Sequence, residues 1–145
     1  MRKLLLSFML IAAATVSVAQ DWVQYVNPLM GTESSFELSA GNTYPAIALP
    51  WGMNFWTPQT RDTELKCITP YYYSDSLFQG FRNSHWIVGG CTQDYGSMTL
   101  FPTTNIKACM PNYRATPFKH ENEIATPAYY SVYLDQTRIQ AEMTG

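Results

Sequence analysis

Chemistry-bearing residues crowd into one stretch, HWIVGGCTQDYGS, which runs from His85 to Ser97. Its residue types suit a catalytic centre, a metal site or a tight turn of a β-protein. A cysteine nucleophile needs a base in reach, an oxyanion donor and a group that orients the base. His85 and Cys91 stand six apart with no context that supplies those parts, which argues against a cysteine hydrolase. No CxxC and no Cys/His pair has zinc spacing, so a structural metal site is disfavoured as well. Glycoside hydrolysis requires two carboxyl groups astride the scissile bond. Asp94 is the acid of this segment, with Asp62 or Asp75 as its candidate partners, and a lone loop aspartate commonly does no more than shape a turn. At most half a hydrolytic site is visible. The glycines say more. Gly89, Gly90 and Gly96 permit positive φ and let backbone approach a ligand closely. Such a loop can offer amides and the face of Trp86 to a sugar ring, although a β-bulge uses the same glycines.

A second segment, GNTYPAIALPWGM, runs from Gly41 to Met53. Asn42 and Thr43 supply short polar groups, while Tyr44, Trp51 and the later Trp56 supply stacking faces. Aromatic rings cover the apolar faces of sugars and hydrogen-bond at their tips. Ten tyrosines and four tryptophans in a chain with only 14% charged residues fit a carbohydrate-handling surface. On composition alone a β-rich core is the better account of them, because the same residues favour strands.

The elements that must position these segments are short. Nine prolines and eight glycines are spread along the chain and leave little room for long helices. Ile47 to Leu49 and Met53 to Thr57 read as brief extended pieces around the turn Pro50-Trp51-Gly52. Ser97 to Phe101 alternates and stops at Pro102. The clearest periodicity comes last, where Tyr130, Val132 and Leu134 alternate with Tyr129, Ser131 and Tyr133. Ile139, Ala141 and Met143 alternate in turn with Arg138, Gln140 and Glu142. Period two predicts two half-buried strands, with a hairpin turn at Asp135-Gln136-Thr137. The architecture expected is all-β, a β-sandwich. It is expected to be incomplete, because the chain stops at Gly145 directly after a strand that should pair onward.

The chain begins MRKLLLSFMLIAAATVSVAQ, two basic residues, an apolar run and the small-x-small site Ser17-Val18-Ala19. That pattern predicts a signal peptide over 1–19 and an exported, periplasmic or extracellular product over 20–145. No later segment is long and apolar enough for a transmembrane helix. Seven basic and eleven acidic residues follow position 19, a formal charge of −4. Nucleic acid is therefore an unsuitable partner, since phosphate binding needs clustered Lys and Arg. Three cysteines, Cys67, Cys91 and Cys109, allow one disulfide and a free thiol, or three thiols.

Four separated stretches together resemble the N-terminus of glycoside hydrolase family 92. They are VNPLMGT (Val26 to Thr32), GNTYPAIALPWGM, YYYSDSLFQGFRNSHWIVGGCTQDYGS (Tyr71 to Ser97) and FKHENEIATPAYYSVYLDQTRIQAEMTG (Phe118 to Gly145). The resemblance covers nearly all of residues 20–145 and implies an N-terminal β-sandwich of a larger two-domain glycosidase. In that family a secreted, exo-acting, inverting and calcium-dependent α-mannosidase holds its sugar where the sandwich meets an α/α-barrel. The general acid, the general base and the calcium ligands are implied to belong to the barrel, so none maps onto this chain, and the fragment alone is expected to be inactive. The partners implied are a mannose-containing glycan and the missing catalytic domain. Carried over to this chain are sugar-pocket contributions from Asn42, Thr43, Tyr44 and Trp51, and from His85, Trp86, Gly90, Cys91, Asp94 and Tyr95. The family version of the second loop reads like GFSHTHLSGTGCxDYG. Here Asn83 replaces the first histidine, Trp86-Ile87-Val88 replaces a Leu-Ser-Gly step, and Thr92-Gln93 adds one residue, which implies an altered pocket. The rival reading is a free-standing carbohydrate-binding or structural β-module.

Overall fold

The computed structural model describes residues 22–33, 43–48, 52, 55–60, 69–84 and 98–145. The expected signal peptide, Cys67 and Cys91 lie outside the described residues, as do Asn42, Trp51, His85, Trp86, Gly90, Asp94 and Tyr95. Among the described residues there are eight strands, all in antiparallel pairs: β1 (Phe55–Gln59), β2 (Leu77–Phe78), β3 (Gly80–Ser84), β4 (Thr99–Leu100), β5 (Thr116–Pro117), β6 (Glu123–Thr126), β7 (Tyr129–Leu134) and β8 (Ile139–Thr144). They form three small sheets, ordered β1-β3-β4, β2-β5 and β6-β7-β8. Helix is confined, among the described residues, to single turns at Trp22–Tyr25, Ile106–Cys109, Pro111–Arg114 and His120–Asn122. None of these is long and apolar enough to cross a membrane. Frequent prolines and glycines account for their brevity.

The period-two segments become the best-formed sheet. Tyr130, Val132 and Leu134 of β7 and Ala141 of β8 are buried, with Ala125 and Met143 beside them. They face Ile47, Phe78, Phe81 and Phe118 from the other two sheets and their connections, with Trp56 and Phe101 packed alongside. Two layers enclosing one apolar core make this an all-β sandwich, as expected. Phe78 is fully buried at its centre, with the rings of Phe81, Phe101 and Phe118 at 5.3, 6.3 and 6.4 Å. Tilted and edge-on aromatic pairs of this kind add about 0.5–1.5 kcal/mol each beyond simple burial.

Three details differ from the sequence reading. The β7–β8 turn takes four residues, because Arg138 adopts φ 56° and its N–H donates to the Leu134 carbonyl at 2.8 Å, which removes it from β8. Ser131 is buried although its neighbours in the pattern are polar. It sits on the central strand of its sheet, paired with Ile124 on one side and Glu142 on the other. The extended piece ending at Thr57 continues to Gln59 through Pro58. A proline is tolerated there because β1 is the edge of its sheet. Ile47 and Trp56 exchange both backbone hydrogen bonds, at 2.8 and 3.1 Å, and so pair the chain on either side of Gly52.

The chain changes sheets at Gly80. Phe78 ends β2, Gln79 donates its N–H to the Gln59 carbonyl at 2.7 Å, and Gly80 opens β3 with φ +121°. Only glycine enters that region freely, so this residue makes the corner.

Candidate functional site

Three of the segments singled out by sequence meet at one place. Asn27 begins a turn in which its side-chain oxygen accepts from the Leu29 N–H at 3.0 Å, and the Thr32 hydroxyl donates to the Leu29 carbonyl at 2.8 Å. The turn is left-handed at Gly31, φ +79°. Thr43 lies against it, donating its N–H to the Gly31 carbonyl at 3.3 Å and its hydroxyl to the Met30 carbonyl at 2.8 Å. The third segment joins when Tyr73 donates its N–H to the Thr32 carbonyl at 3.1 Å. Tyr44 is buried, packs with Tyr71, and stacks on Phe55 with ring centroids 5.7 Å apart. Phe55 is the register partner of Ser84, the residue that directly precedes His85. The anchors of the Asn42 loop, the Trp51 turn and the His85 segment are thus neighbours. Of the expected site residues the structure describes Thr43 and Tyr44, and both hold the loop: one by its hydroxyl, the other by its ring.

A methyl group at Gly31 would fall 2.7 Å from the Thr43 hydroxyl oxygen, at a backbone angle that side chains rarely adopt. Gly31→Ala is expected to destabilise the fold by about 2 kcal/mol, in the range for forced left-handed backbone. Urea unfolding of the two proteins measures it, and an unchanged midpoint would mean that the turn does not hold Thr43.

Beneath this junction lies a carboxylate that sequence reasoning did not single out. The Glu123 side chain is 1% exposed. The Tyr71 hydroxyl donates to its two oxygens at 2.9 and 3.1 Å, and the Tyr130 hydroxyl donates at 2.5 Å. His120 Nδ1 stands 2.6 Å from its other oxygen. His120 Nε2 is 2.5 Å from the Tyr73 carbonyl, which can only accept, so that nitrogen carries a hydrogen. The imidazole stacks on the Tyr73 ring at 4.0 Å and meets Phe118 edge-on at 5.1 Å. Glu123 therefore ties the Tyr71–Tyr73 loop to β6 and β7, while Tyr130 carries the link into the core through Phe81. The spacing His120-x-x-Glu123 was the available signal, and it is a weak one, since two partners come from distant strands and loops.

Burial pushes the Tyr71 phenol well above the ordinary range, and the neighbouring charge of Glu123 adds to the effect. Burial does the same for Tyr130, again reinforced by Glu123. Below about pH 10 both phenols are neutral in the folded and the unfolded chain, so they leave stability independent of pH there. Above about pH 10 only the unfolded chain ionises them, and stability is expected to fall by about 1.4 kcal/mol per pH unit for each phenol. Urea midpoints measured across that range, followed alongside the tyrosinate absorbance, check this. Ionisation of the full set of ten tyrosines before unfolding would contradict it.

Shielded from solvent and held by two phenols, Glu123 is a structural pin. Calcium takes about six to eight oxygen ligands. Among the described residues no group of three or more His, Cys, Asp or Glu side chains could hold a metal ion, so these residues do not fit a calcium site. Cys109 is exposed with a free thiol.

Comparison with known proteins follows the same outline. The family model described as the glycosyl hydrolase family 92 N-terminal domain matches residues 25–145. A family 92 inverting mannosidase from Bacteroides thetaiotaomicron VPI-5482 is similar at 44% identity and a TM-score of 0.69, over 85% of this chain and 16% of the mannosidase. A family 92 α-mannosidase from Bacteroides thetaiotaomicron is similar at 28% identity and a TM-score of 0.70, over 87% of this chain and 17% of that one. No curated protein matches. The chain thus spans about a sixth of the length of these two enzymes.

Proposed function

Because this chain belongs to glycosyl hydrolase family 92, matching its N-terminal domain, we propose that it forms one wall of the sugar pocket of an exported, exo-acting, inverting α-mannosidase that acts on mannose-containing glycans. The observation that carries this reading is the shared anchorage of the three loops. Thr43 is fastened to the Gly31 turn, Tyr44 stacks on Phe55, and Phe55 pairs with Ser84. Residues Asn42, Trp51 and His85 each follow or precede one of those anchors by a few positions. Inversion requires one carboxyl group to protonate the leaving oxygen and another to activate water. The one deeply buried carboxylate described in detail, Glu123, is occupied by two phenols and an imidazole. The acid and base are therefore assigned to a catalytic domain outside this chain, and so are the ligands of the calcium ion that the enzyme is proposed to need. This chain contributes orientation, through short polar groups and aromatic faces.

The test is a chimera in which this chain replaces the matching segment of the 44%-identical mannosidase. The chain alone is expected to release no mannose from an aryl α-mannoside, and the chimera is expected to release it. Within the chimera, Asn42→Ala and His85→Ala should each lower kcat/KM by about tenfold or more, the equivalent of one lost polar contact to the sugar. Unchanged kcat/KM in both variants, or release by the chain alone, would sink the proposal.

A further inference from the structure

The turn that precedes β6 sets His120 between two oxygens. Its Nε2 lies 2.5 Å from the Tyr73 carbonyl and its Nδ1 lies 2.6 Å from a Glu123 carboxylate oxygen. A carbonyl only accepts, and so does an ionised carboxylate. A neutral imidazole carries one N–H, so either tautomer would turn a nitrogen lone pair on one of these oxygens with no hydrogen between them. The doubly protonated ring meets both oxygens, because it donates at both ends. Glu123 supplies the countercharge. Its side chain is 1% exposed, and its other oxygen accepts from the Tyr71 and Tyr130 hydroxyls at 2.9 and 2.5 Å. Wherever the shared proton rests along the 2.6 Å contact, ring and carboxyl together hold one proton more than a neutral imidazole facing a carboxylate.

The His120 side chain is 28% exposed, so water can take that proton. Around the ring stand Tyr73, stacked at 4.0 Å, and Phe118, edge-on at 5.1 Å, with the Tyr71 and Tyr130 phenols beyond the carboxylate. The charged neighbours in its own turn are engaged elsewhere, since Lys119 pairs with Glu121 at 3.3 Å and reaches Asp135 at 3.9 Å. Asp75, two positions beyond Tyr73, accepts from the Thr60 hydroxyl at 2.8 Å. From Tyr73 a line of hydrogen bonds runs towards the expected sugar loops. Its N–H donates to the Thr32 carbonyl at 3.1 Å, and the Thr32 hydroxyl donates to the Leu29 carbonyl at 2.8 Å. Thr43 is fastened to the Met30 and Gly31 carbonyls of the same turn, and it directly follows Asn42. A ring that lost its second proton would have to turn from one oxygen or the other, and so release either Tyr73 or Glu123.

We propose that His120 is a positioning residue whose second proton latches the Tyr71–Tyr73 loop and, through Tyr73 and Thr32, the loop that carries Asn42, so that the enzyme holds a mannoside less tightly as pH rises. Its effect on catalysis rests on the mannosidase reading, while the latch rests on the two oxygens alone. When hydroxide or water takes the proton, one ring N–H bond breaks and its electron pair stays on nitrogen. That lone pair then faces an oxygen lone pair, and repulsion replaces a charge-assisted hydrogen bond. Because His120 acts through Tyr73, its effect falls on KM and leaves kcat to the acid and base.

NMR of the isotopically labelled 145-residue chain tests the latch across about pH 5–9, a range that brackets an ordinary imidazole. At the acid end both His120 ring nitrogens should show the shifts of a doubly protonated ring. As pH rises one of them should lose its proton, and the amide signals of Thr32, Thr43 and Tyr73 should move on the same curve. In His120→Gln, which has no titrating ring at this position, those amides should lose that curve. In the chimeric mannosidase KM should rise about tenfold along it, the size of one charge-assisted hydrogen bond, and the His120→Gln chimera should keep the raised KM throughout. The pH profile of kcat should be the same in both. If His120→Gln does not fold, the ring and amide curves of the unaltered chain decide. A singly protonated ring at the acid end, a ring that keeps both protons to about pH 9, amides that ignore the ring's curve, or an unaltered amide curve in the folded variant would overturn the latch. An active chimera whose KM ignores the ring proton would overturn the positioning role while leaving the mannosidase reading in place. Coupled ring and amide curves together with an inactive chimera would do the reverse, upholding the latch and removing that reading.

Discussion

Glu123→Ala is expected to lower the unfolding free energy by about 2–5 kcal/mol, because two buried phenol hydroxyls lose their acceptor at about 1–3 kcal/mol each. The size follows from what is left behind. Two phenols and an imidazole point at the vacated carboxylate, and its side chain was 1% exposed, so water cannot readily replace it. Each stranded phenol hydroxyl then carries its own desolvation penalty. Single domains have only about 5–15 kcal/mol in hand, so a loss of this size is expected to shift the urea midpoint far down or to prevent accumulation altogether. Glu123→Gln separates shape from charge. It preserves volume and one acceptor oxygen, and should recover part of the loss, because a tyrosine hydroxyl can turn to accept from the new amide. Tyr71→Phe and Tyr130→Phe complete the test. Both phenols donate to the same carboxylate, so their effects should fail to add, with a coupling of about 0.5–3 kcal/mol in a double-mutant cycle. Independent effects, or an alanine variant within about 0.5 kcal/mol of the parent, would show that Glu123 does not bind the Tyr71–Tyr73 loop to the sheet.

The contrast between Glu123 and the β7–β8 hairpin shows which parts of this molecule can be read from sequence. Alternation at Tyr130, Val132 and Leu134, and at Ile139, Ala141 and Met143, is local information, and a half-buried sheet is its direct consequence. Ile47 and Trp56 were legible for the same reason, lying either side of a short proline-glycine turn. By contrast β2 and β5 are two residues each, and their pairing joins Phe78 to Thr116 across a long separation with no pattern to announce it. Glu123 looks like any acid on a strand until Tyr71, 52 positions away, closes over it. The four-residue turn was misjudged by one position because a left-handed arginine carries no turn signature. The resemblance of four ordered stretches was legible to the level of the family, and within those stretches lie the residues that make the Gly31 turn, the Tyr44 stack and the Glu123 pin. Thr43 and Tyr44 were singled out for sugar contact. The structure shows the work each does for its own loop, a role that depends on Gly31 and Phe55 and is therefore invisible in the loop's own letters.

Gly80→Ala is the second large effect expected, about 3 kcal/mol or more, and it bears on the site through geometry alone. Gly80 holds φ +121°, and a methyl group there would meet the Leu100 carbonyl oxygen at 2.5 Å and the Thr99 methyl at 2.9 Å. The first of these is backbone of a paired strand, so relief requires β4 to move or the corner to open. Forced backbone strain contributes about 1–3 kcal/mol, and overpacking a similar amount. Moving β4 separates Leu100 from Phe81, its register partner and a member of the main core. It also disturbs β3, whose last residue Ser84 precedes His85 and pairs with Phe55. Gly52→Ala supplies the comparison, because a methyl group there meets nothing within 4 Å. That variant should stay within about 0.5 kcal/mol of the parent. Urea unfolding of the pair separates a general intolerance of side chains from the specific corner at Gly80. In the chimeric mannosidase the same pair should divide again: a displaced β3 carries His85 with it, so the Gly80 variant should raise KM even where it remains folded, while the Gly52 variant should not. Equal behaviour of the two variants in both measurements would mean that the corner does not set the position of the loop.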